Sequence, residues 1–308
     1  MPYKVYRHSA AYVNGKLYII GGRTFNIAAN NFDELVKKII VFDPMDGDKG
    51  SWSEFDVPSF DDYAASDQTS FARGGSIYTL GGYSADYGTK DTFFSINVET
   101  NNILVLKSMI TKRGDANAVY YKYGDIESVF IMGGFSSETS KPFCEPLSEA
   151  ERYDFSTNKW TSISPLVNQR GDKGVVVLND AILAIGGEDK HESICSGVDE
   201  VEASSHAVVV DDVESYHPKD GDDTNWEVEL DFAETRFRSA AAVAVETDTV
   251  YVFGGQMAYD VNCECYKTSK DIFTYRETHS HPHKSSAFGR KIVNTVIGVS
   301  VASILSIL

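Results

Sequence analysis

Five times along the chain, four apolar residues run into a double glycine: Leu17–Gly22 (LYIIGG), Ile77–Gly82 (IYTLGG), Val129–Gly134 (VFIMGG), Ile182–Gly187 (ILAIGG) and Val250–Gly255 (VYVFGG). Val, Ile, Tyr and Phe suit a pleated, buried strand. A short apolar run closed by glycine reads as a core strand stopping at a turn. Two glycines there let the backbone take positive φ, or let a second backbone approach closely. Five copies make the hexamer an internal repeat, and the repeat constrains everything else about the fold.

Each repeat has one grammar. A strand rich in small residues and valine comes first: His8–Val13, Thr69–Ala72, Ala116–Tyr121, Gly174–Leu178 and Ser239–Val245. A tight turn such as Asn14-Gly15 or Asn179-Asp180 leads into the Gly-Gly strand, as suits a two-residue hairpin. A loop of variable length precedes a third strand: Lys38–Asp43, Thr92–Asn97, Glu149–Asp154, Asp212–His217 and Asp271–Tyr275. A fourth follows at Trp52–Val57, Ile103–Lys107, Trp160–Ile163 and Trp226–Leu230. Four short antiparallel strands make one propeller blade. The fifth repeat has no fourth strand of its own, and Pro2–Tyr6 has strand character. The expectation is that this N-terminal strand closes the last blade and removes the open sheet edges.

The Gly-Gly pairs begin at 21, 81, 133, 186 and 254, giving spacings of 60, 52, 53 and 68. These lie near the roughly 50-residue kelch period, stretched by loops. The repeats resemble kelch repeats in two further features, a Tyr on the third strand and a Trp opening the fourth. They appear as Tyr153 with Trp160 and Tyr216 with Trp226, and as Phe42 with Trp52, where Phe replaces Tyr. The second repeat departs, with Ile96 and Ile103, and the fifth has Tyr275 but no Trp. The resemblance implies an all-β propeller of about five four-stranded blades over residues 1–278. A truncated six- or seven-bladed ring is the alternative.

Net charge is −17, from 45 acidic and 28 basic residues. That argues against a nucleic-acid partner, since phosphate binding needs a basic surface. Four cysteines are too few for a disulfide scaffold. With no secretory signal and no Asn-X-Ser/Thr sequon, free thiols in a reducing cytosol are the expectation. The cysteines lie in loops after Gly-Gly, at Cys144, Cys195, Cys263 and Cys265. Their spacing does not suit zinc, and no cofactor or metal site is expected.

Residues 279–291 read as a polar, basic linker with His279, His281 and His283 in alternation. Residues 292–308 (IVNTVIGVSVASILSIL) carry no charge. As a helix they would reach about 25 Å, slightly short of a hydrocarbon core of roughly 30 Å. The expectation is a C-terminal transmembrane anchor. Lys284, Arg290 and Lys291 on its N-terminal side would hold the propeller in the cytoplasm.

Kelch propellers that bind peptides use the face formed by the loops leading into each blade and those following Gly-Gly. The resemblance implies the same face here. The lead-in loops carry Arg113, Arg170 and Arg236, with Arg7 a looser match and Ala65 in the second repeat. Directly after Gly-Gly come Arg23, Tyr83, Phe135, Glu188 and Gln256. Arginine forks among aromatics suit a partner's acidic or carboxylate-bearing segment. The alternative is that each arginine pairs with a nearby acid such as Asp115 or Asp172. Arg113-Gly114-Asp115 and Arg170-Gly171-Asp172 spell RGD twice, and their common repeat position explains the recurrence. Some kelch propellers are enzymes, but no nucleophile elbow, phosphate loop or HExxH is present. The expected function is a membrane-tethered protein-interaction module. A small-ligand or carbohydrate-binding or enzymatic propeller, oxidase- or epimerase-like and using the channel mouth, is the alternative.

Overall fold

The computed structural model describes residues 1–26, 31–136, 144–190, 195, 206–231 and 235–276. The expected C-terminal anchor and the histidine-bearing linker before it, residues 279–308, lie outside them. Among the described residues no helix is long and apolar enough to cross a membrane.

Five antiparallel sheets follow one another along the chain. Blade 1 joins Ser9–Val13, Lys16–Ile20, Ile39–Asp43 and Ser51–Phe55 in that spatial order. Blade 2 joins Thr69–Arg73, Ser76–Leu80, Phe93–Asn97 and Ile103–Val105, and blade 3 joins Asn117–Tyr123, Ile126–Met132, Ala150–Asp154 and Lys159–Ile163. Blade 4 joins Gly174–Leu178, Ala181–Ile185, Asp212–Tyr216 and Glu227–Asp231. Blade 5 has three strands among the described residues, Ala240–Ala244, Thr249–Phe253 and Ile272–Arg276. The turns Asn14-Gly15 and Asn179-Asp180 have positive φ at both residues (49° and 83°, 46° and 65°), the conformation that matches strand twist in two-residue hairpins. Loops after Gly-Gly in blades 1, 3 and 5 fold back as small hairpins.

The blades stack face to face, so their second strands are buried on both sides; all five residues of Ala181–Ile185 are buried. Four apolar cores fill the spaces between successive blades. Ile20 and Val41 meet Ile77 and Ile96; Leu80 and Phe93 meet Val129 and Tyr153; Phe130 and Met132 meet Ile182 and Tyr216; Leu183 and Val213 meet Val250 and Val252. The aromatic pairs of the repeat are in contact, with ring centroids 4.7 Å apart for Phe42–Trp52, 5.2 Å for Tyr153–Trp160 and 5.3 Å for Tyr216–Trp226.

Both reasons for the double glycine hold. In blade 3, Gly133 and Gly134 have φ of 58° and 90°. A Cβ on Gly133 would lie 2.3 Å from the Arg170 carbonyl of the next blade. One on Gly134 would lie 2.5 Å from the carbonyl of Gly114, in its own lead-in. The second glycine also donates its N–H across the seam: Gly22 to Ala65 O, Gly82 to Arg113 O, Gly134 to Arg170 O and Gly187 to Arg236 O. The double glycine is therefore a stitch between blades.

One expectation is corrected. Pro2–Tyr6 does not complete blade 5. Tyr6 exchanges two backbone hydrogen bonds with Arg23, at 3.0 and 2.8 Å. Ser66–Tyr83, Gly114–Phe135, Gly171–Glu188 and Phe237–Gln256 make the same antiparallel bridge in the other blades. Tyr6 is thus the lead-in residue of blade 1, and its backbone is already engaged there. Consistently, a Cβ on Gly254 of blade 5 would meet nothing nearer than Ser269 O at 3.8 Å, where the first glycines of the other four blades crowd a carbonyl of the next lead-in.

Candidate functional site at the channel mouth

The residue after each lead-in bridge is Arg7, Asp67, Asp115, Asp172 and Arg238 in blades 1 to 5. All five are left-handed, with φ between 50° and 56°. The conformation turns the backbone into the first strand and lets the N–H of each reach the carbonyl of its predecessor. Asp67 donates to Arg7 O, Asp115 to Asp67 O, Asp172 to Asp115 O and Arg238 to Asp172 O, at 2.8–3.1 Å. Non-glycine residues at positive φ are uncommon, with aspartate among the more tolerant. Strain of that kind often accompanies function. The result is an arc of five charged side chains around the propeller axis, where the innermost strands begin.

They surround a cavity of about 530 Å³, within the range of small-molecule and peptide pockets. Its wall also includes His8, Asn117, Lys173 and Gln256. Arg7 donates to Asp67 at 3.1 Å. Arg238 donates to Asp172 at 3.0 Å, to Glu188 at 3.1 Å and to Gln256 Oε1 at 3.0 Å. Asp115 stands between these two ion pairs. It is 6 % exposed, and its Oδ2 receives no hydrogen bond.

The electrostatics follow from burial and charge order. Burial, then the Asp172 and Asp67 carboxylates, push the Asp115 carboxyl well above its usual range. Burial and Asp172 do the same to Glu188. Asp67 is raised by burial, against the opposing pull of Arg7. Asp172 sits in the cavity wall, where desolvation disfavours its charge, yet Arg238 holds it below the usual range. Lys173, fully buried with Nζ donating to Met132 O at 2.7 Å, is pushed down to about 7 by burial and by Arg170 and Arg113. Burial also lowers His8. Perturbed acids and bases gathered in a cleft mark a candidate site on physical grounds.

The arginines named from the sequence are elsewhere. Arg113, Arg170 and Arg236 are 0 % exposed. Arg113 donates to Gly133 O, Glu149 O and Glu151. Arg170 donates to Gly186 O, Asp212 O, Asp212 Oδ1 and Glu214 Oε1. Arg236 donates to Gly254 O and Asp271 O and lies over the Phe273 ring at 4.0 Å. Each lead-in arginine ties the start of its blade to the end of the Gly-Gly strand and the start of the third. They clamp the blades and do not present forks to a partner's acidic segment. Their carboxylate partners are Glu151, Asp212 and Glu214, not Asp115 or Asp172.

The residues after Gly-Gly reach into the next lead-in. Arg23 donates to Ser66 Oγ and Ser84 O and lies 3.8 Å from the Tyr87 ring centroid. Tyr83 packs on Gly114 and Phe135 on Gly171, where added Cβ atoms would come within 2.3 and 2.1 Å. Arg23, Tyr83, Phe135 and Glu188 are all 0 % exposed. Of the eight residues expected to bind, Gln256 lines the cavity and Glu188 is tied to its rim through Arg238. Sequence reading missed the charged arc itself. Its signal was present, because every lead-in carries a charged residue at that one repeat position.

The four cysteines are paired, Cys144 with Cys195 and Cys263 with Cys265. The free thiols expected from composition are not what the fold brings together. The first pair joins loops of blades 3 and 4. Among the described residues no group of His, Cys, Asp and Glu is placed to hold a metal ion.

Residues 1–255 match the family model described as the Attractin/LZTR1 beta-propeller. The chain belongs to that family. This attractin/LZTR1-type propeller is similar to human Kelch-like protein 23, 24 % identical over 288 residues, covering 92 % of the chain and 43 % of the relative. It is also similar to Kelch-like protein 25 of Xenopus tropicalis, 25 % identical over 262 residues, covering 80 % and 37 %. The chain thus spans less than half the length of these curated relatives. Among solved structures it resembles YjhT with a TM-score of 0.66 and 15 % identity, covering 89 % of this propeller and 82 % of that chain. At that identity the likeness concerns the fold alone.

Proposed function

We propose that this propeller is a protein-interaction module that seats a segment of its partner in the channel mouth. One observation carries the reading: all five lead-ins contribute to a cavity of about 530 Å³ whose charged walls are held by ion pairs before any ligand arrives. Preorganised polar groups reduce the ordering that binding must impose. The similarity to kelch-like proteins supports the same reading.

A small-ligand or enzymatic propeller is the second reading, favoured by the size of the cavity and by Asp115 and Glu188 with raised carboxyl pKa values. The proposal keeps the membrane tether through residues 292–308. The two disulfides support an oxidising surrounding for the propeller, in place of the cytoplasmic side expected from flanking charge. Protease protection of carbonate-washed membranes tests both points: release by carbonate removes the tether, and digestion from the cytosolic side removes the oxidising compartment.

The binding face is tested with a photo-crosslinking residue at Asn117 or Ser239, which line the mouth, and at Met45, 86 % exposed on the outer part of blade 1. Partner polypeptide is expected on the first two and not on the third. Crosslinks from Met45 alone would overturn the mouth as the binding face.

A further inference from the structure

The three aspartates of the arc are equivalent by position and unequal in what they hold. Asp67 receives the guanidinium of Arg7, and Asp172 receives that of Arg238. Asp115, in the same left-handed conformation between them, receives no donor at Oδ2 although it is 94 % buried and faces the cavity (6 % exposed). A buried carboxylate oxygen without a donor is costly. Charge counting shows how the free protein meets this. Arg7, Arg238 and Lys173 face Asp67, Asp115, Asp172 and Glu188, four acids against three bases. The deficit is one positive charge, and Asp115 and Glu188 are the two carboxyls driven upward to take up the proton that meets it; held on Asp115, that proton can be donated to Asp67. The Tyr83 phenol beside Asp115 is itself raised, by burial and by that carboxyl, so it adds no charge.

We propose that Asp115 is the seat for a ligand cation, the ammonium or guanidinium of a lysine or arginine side chain on the bound segment. Resting on the mouth being the binding face, this gives the partner a basic residue where the sequence suggested an acidic one. The third aspartate then acquires the same kind of partner that its two neighbours already have. The cation replaces a proton: the Asp115 O–H bond breaks, the proton passes to solvent, and the carboxylate pairs with the incoming charge. Lys173, pushed down to about 7, is partly neutral at pH 7 and opposes a neighbouring cation less than an ordinary lysine would.

The test is calorimetric titration of the whole chain at pH 7 with acetyl-Gly-Lys-Gly-amide, in two buffers of different ionisation enthalpy. Acetyl-Gly-Glu-Gly-amide and n-butylammonium serve as comparison probes. The lysine peptide is expected to bind with net release of a proton and to outcompete the glutamate peptide. Asp115→Asn, which tolerates the same left-handed backbone, is expected to bind it at least about 30-fold more weakly while keeping the circular-dichroism spectrum of the folded propeller. Butylammonium binding as tightly as the peptide would mark the source as a small amine, overturning the side-chain assignment. Binding without proton release, or undiminished in Asp115→Asn, would overturn the seat. A glutamate peptide that binds better than the lysine peptide would overturn the cation while leaving the mouth as the binding face. Failure of every probe overturns this inference, and the crosslinking result then decides the binding face separately.

Discussion

Arg113 donates to Glu151 at 2.6 Å with both side chains sealed from solvent, at 0 % and 1 % exposure. Glu151 also accepts the N–H groups of Ile110 and Thr111, at 2.8 and 2.9 Å. The pair therefore fixes the lead-in of blade 3 to that blade's third strand. Removing one member leaves the other buried and unpaired.

Glu151→Ala is accordingly expected to destabilise the propeller by about 3–5 kcal/mol. Arg113→Ala should do the same. Urea denaturation followed by tryptophan fluorescence gives the measurement. A loss under about 1 kcal/mol for either would mean the clamp is not structural.

A second set of contacts is purely steric. Gly171 lies against the Phe135 ring, and its backbone is not in the positive-φ region. Gly171→Ala is expected to cost about 1–3 kcal/mol through overpacking alone. Combined with Phe135→Leu, the double variant should lose less than the sum of the two single losses. Additive losses in a thermal-melt cycle would argue against that contact.

The mouth makes stability depend on pH in two opposite senses. Asp115 has a folded pKa raised above its unfolded value, so its contribution is complete below about pH 4 and is lost as pH rises through the folded value. Asp115→Asn should flatten that decline. Lys173 is lowered to about 7, so the unfolded chain binds its proton more tightly and stability rises from about pH 7 to pH 10. The expected slope is about 1.4 kcal/mol per pH unit, and Lys173→Met should abolish it. Chemical denaturation in a pH series resolves both, and an unchanged slope in Lys173→Met would sink the assignment.

Cys144–Cys195 closes a span of 51 residues across two blades. Replacing both residues with serine is expected to lower stability by about 2–4 kcal/mol. Thiol alkylation of the native protein, read by mass spectrometry without reductant, should label none of the four cysteines. Full labelling would place the chain in its reduced form.

The repeat was legible because propeller blades reuse one set of local rules. Positive φ at Gly-Gly, a β-prone run before it, and Tyr or Phe beside Trp are local demands, and any chain meeting them five times shows them in print. The hairpin at Asn179-Asp180 was readable for the same reason. The site was less legible. Asp115 and Asp172 stand 57 residues apart in the chain (172 − 115); their common repeat position is visible in the sequence, but their burial and the cations beside them exist only once the blades are stacked.

By itself, then, the sequence determined the blade, its five repeats and the placement of its glycines, because these depend on backbone geometry within one repeat. Tertiary structure decided which charged residues face the channel and which are sealed between blades. Arg113 and Arg7 both precede a first strand, yet one is buried against carbonyls and the other lines the cavity. It also decided that Tyr6 pairs with Arg23 and not with the last blade. Burial, ion pairing and strand exchange are relations between distant segments, and their energies exist only once the blades stack.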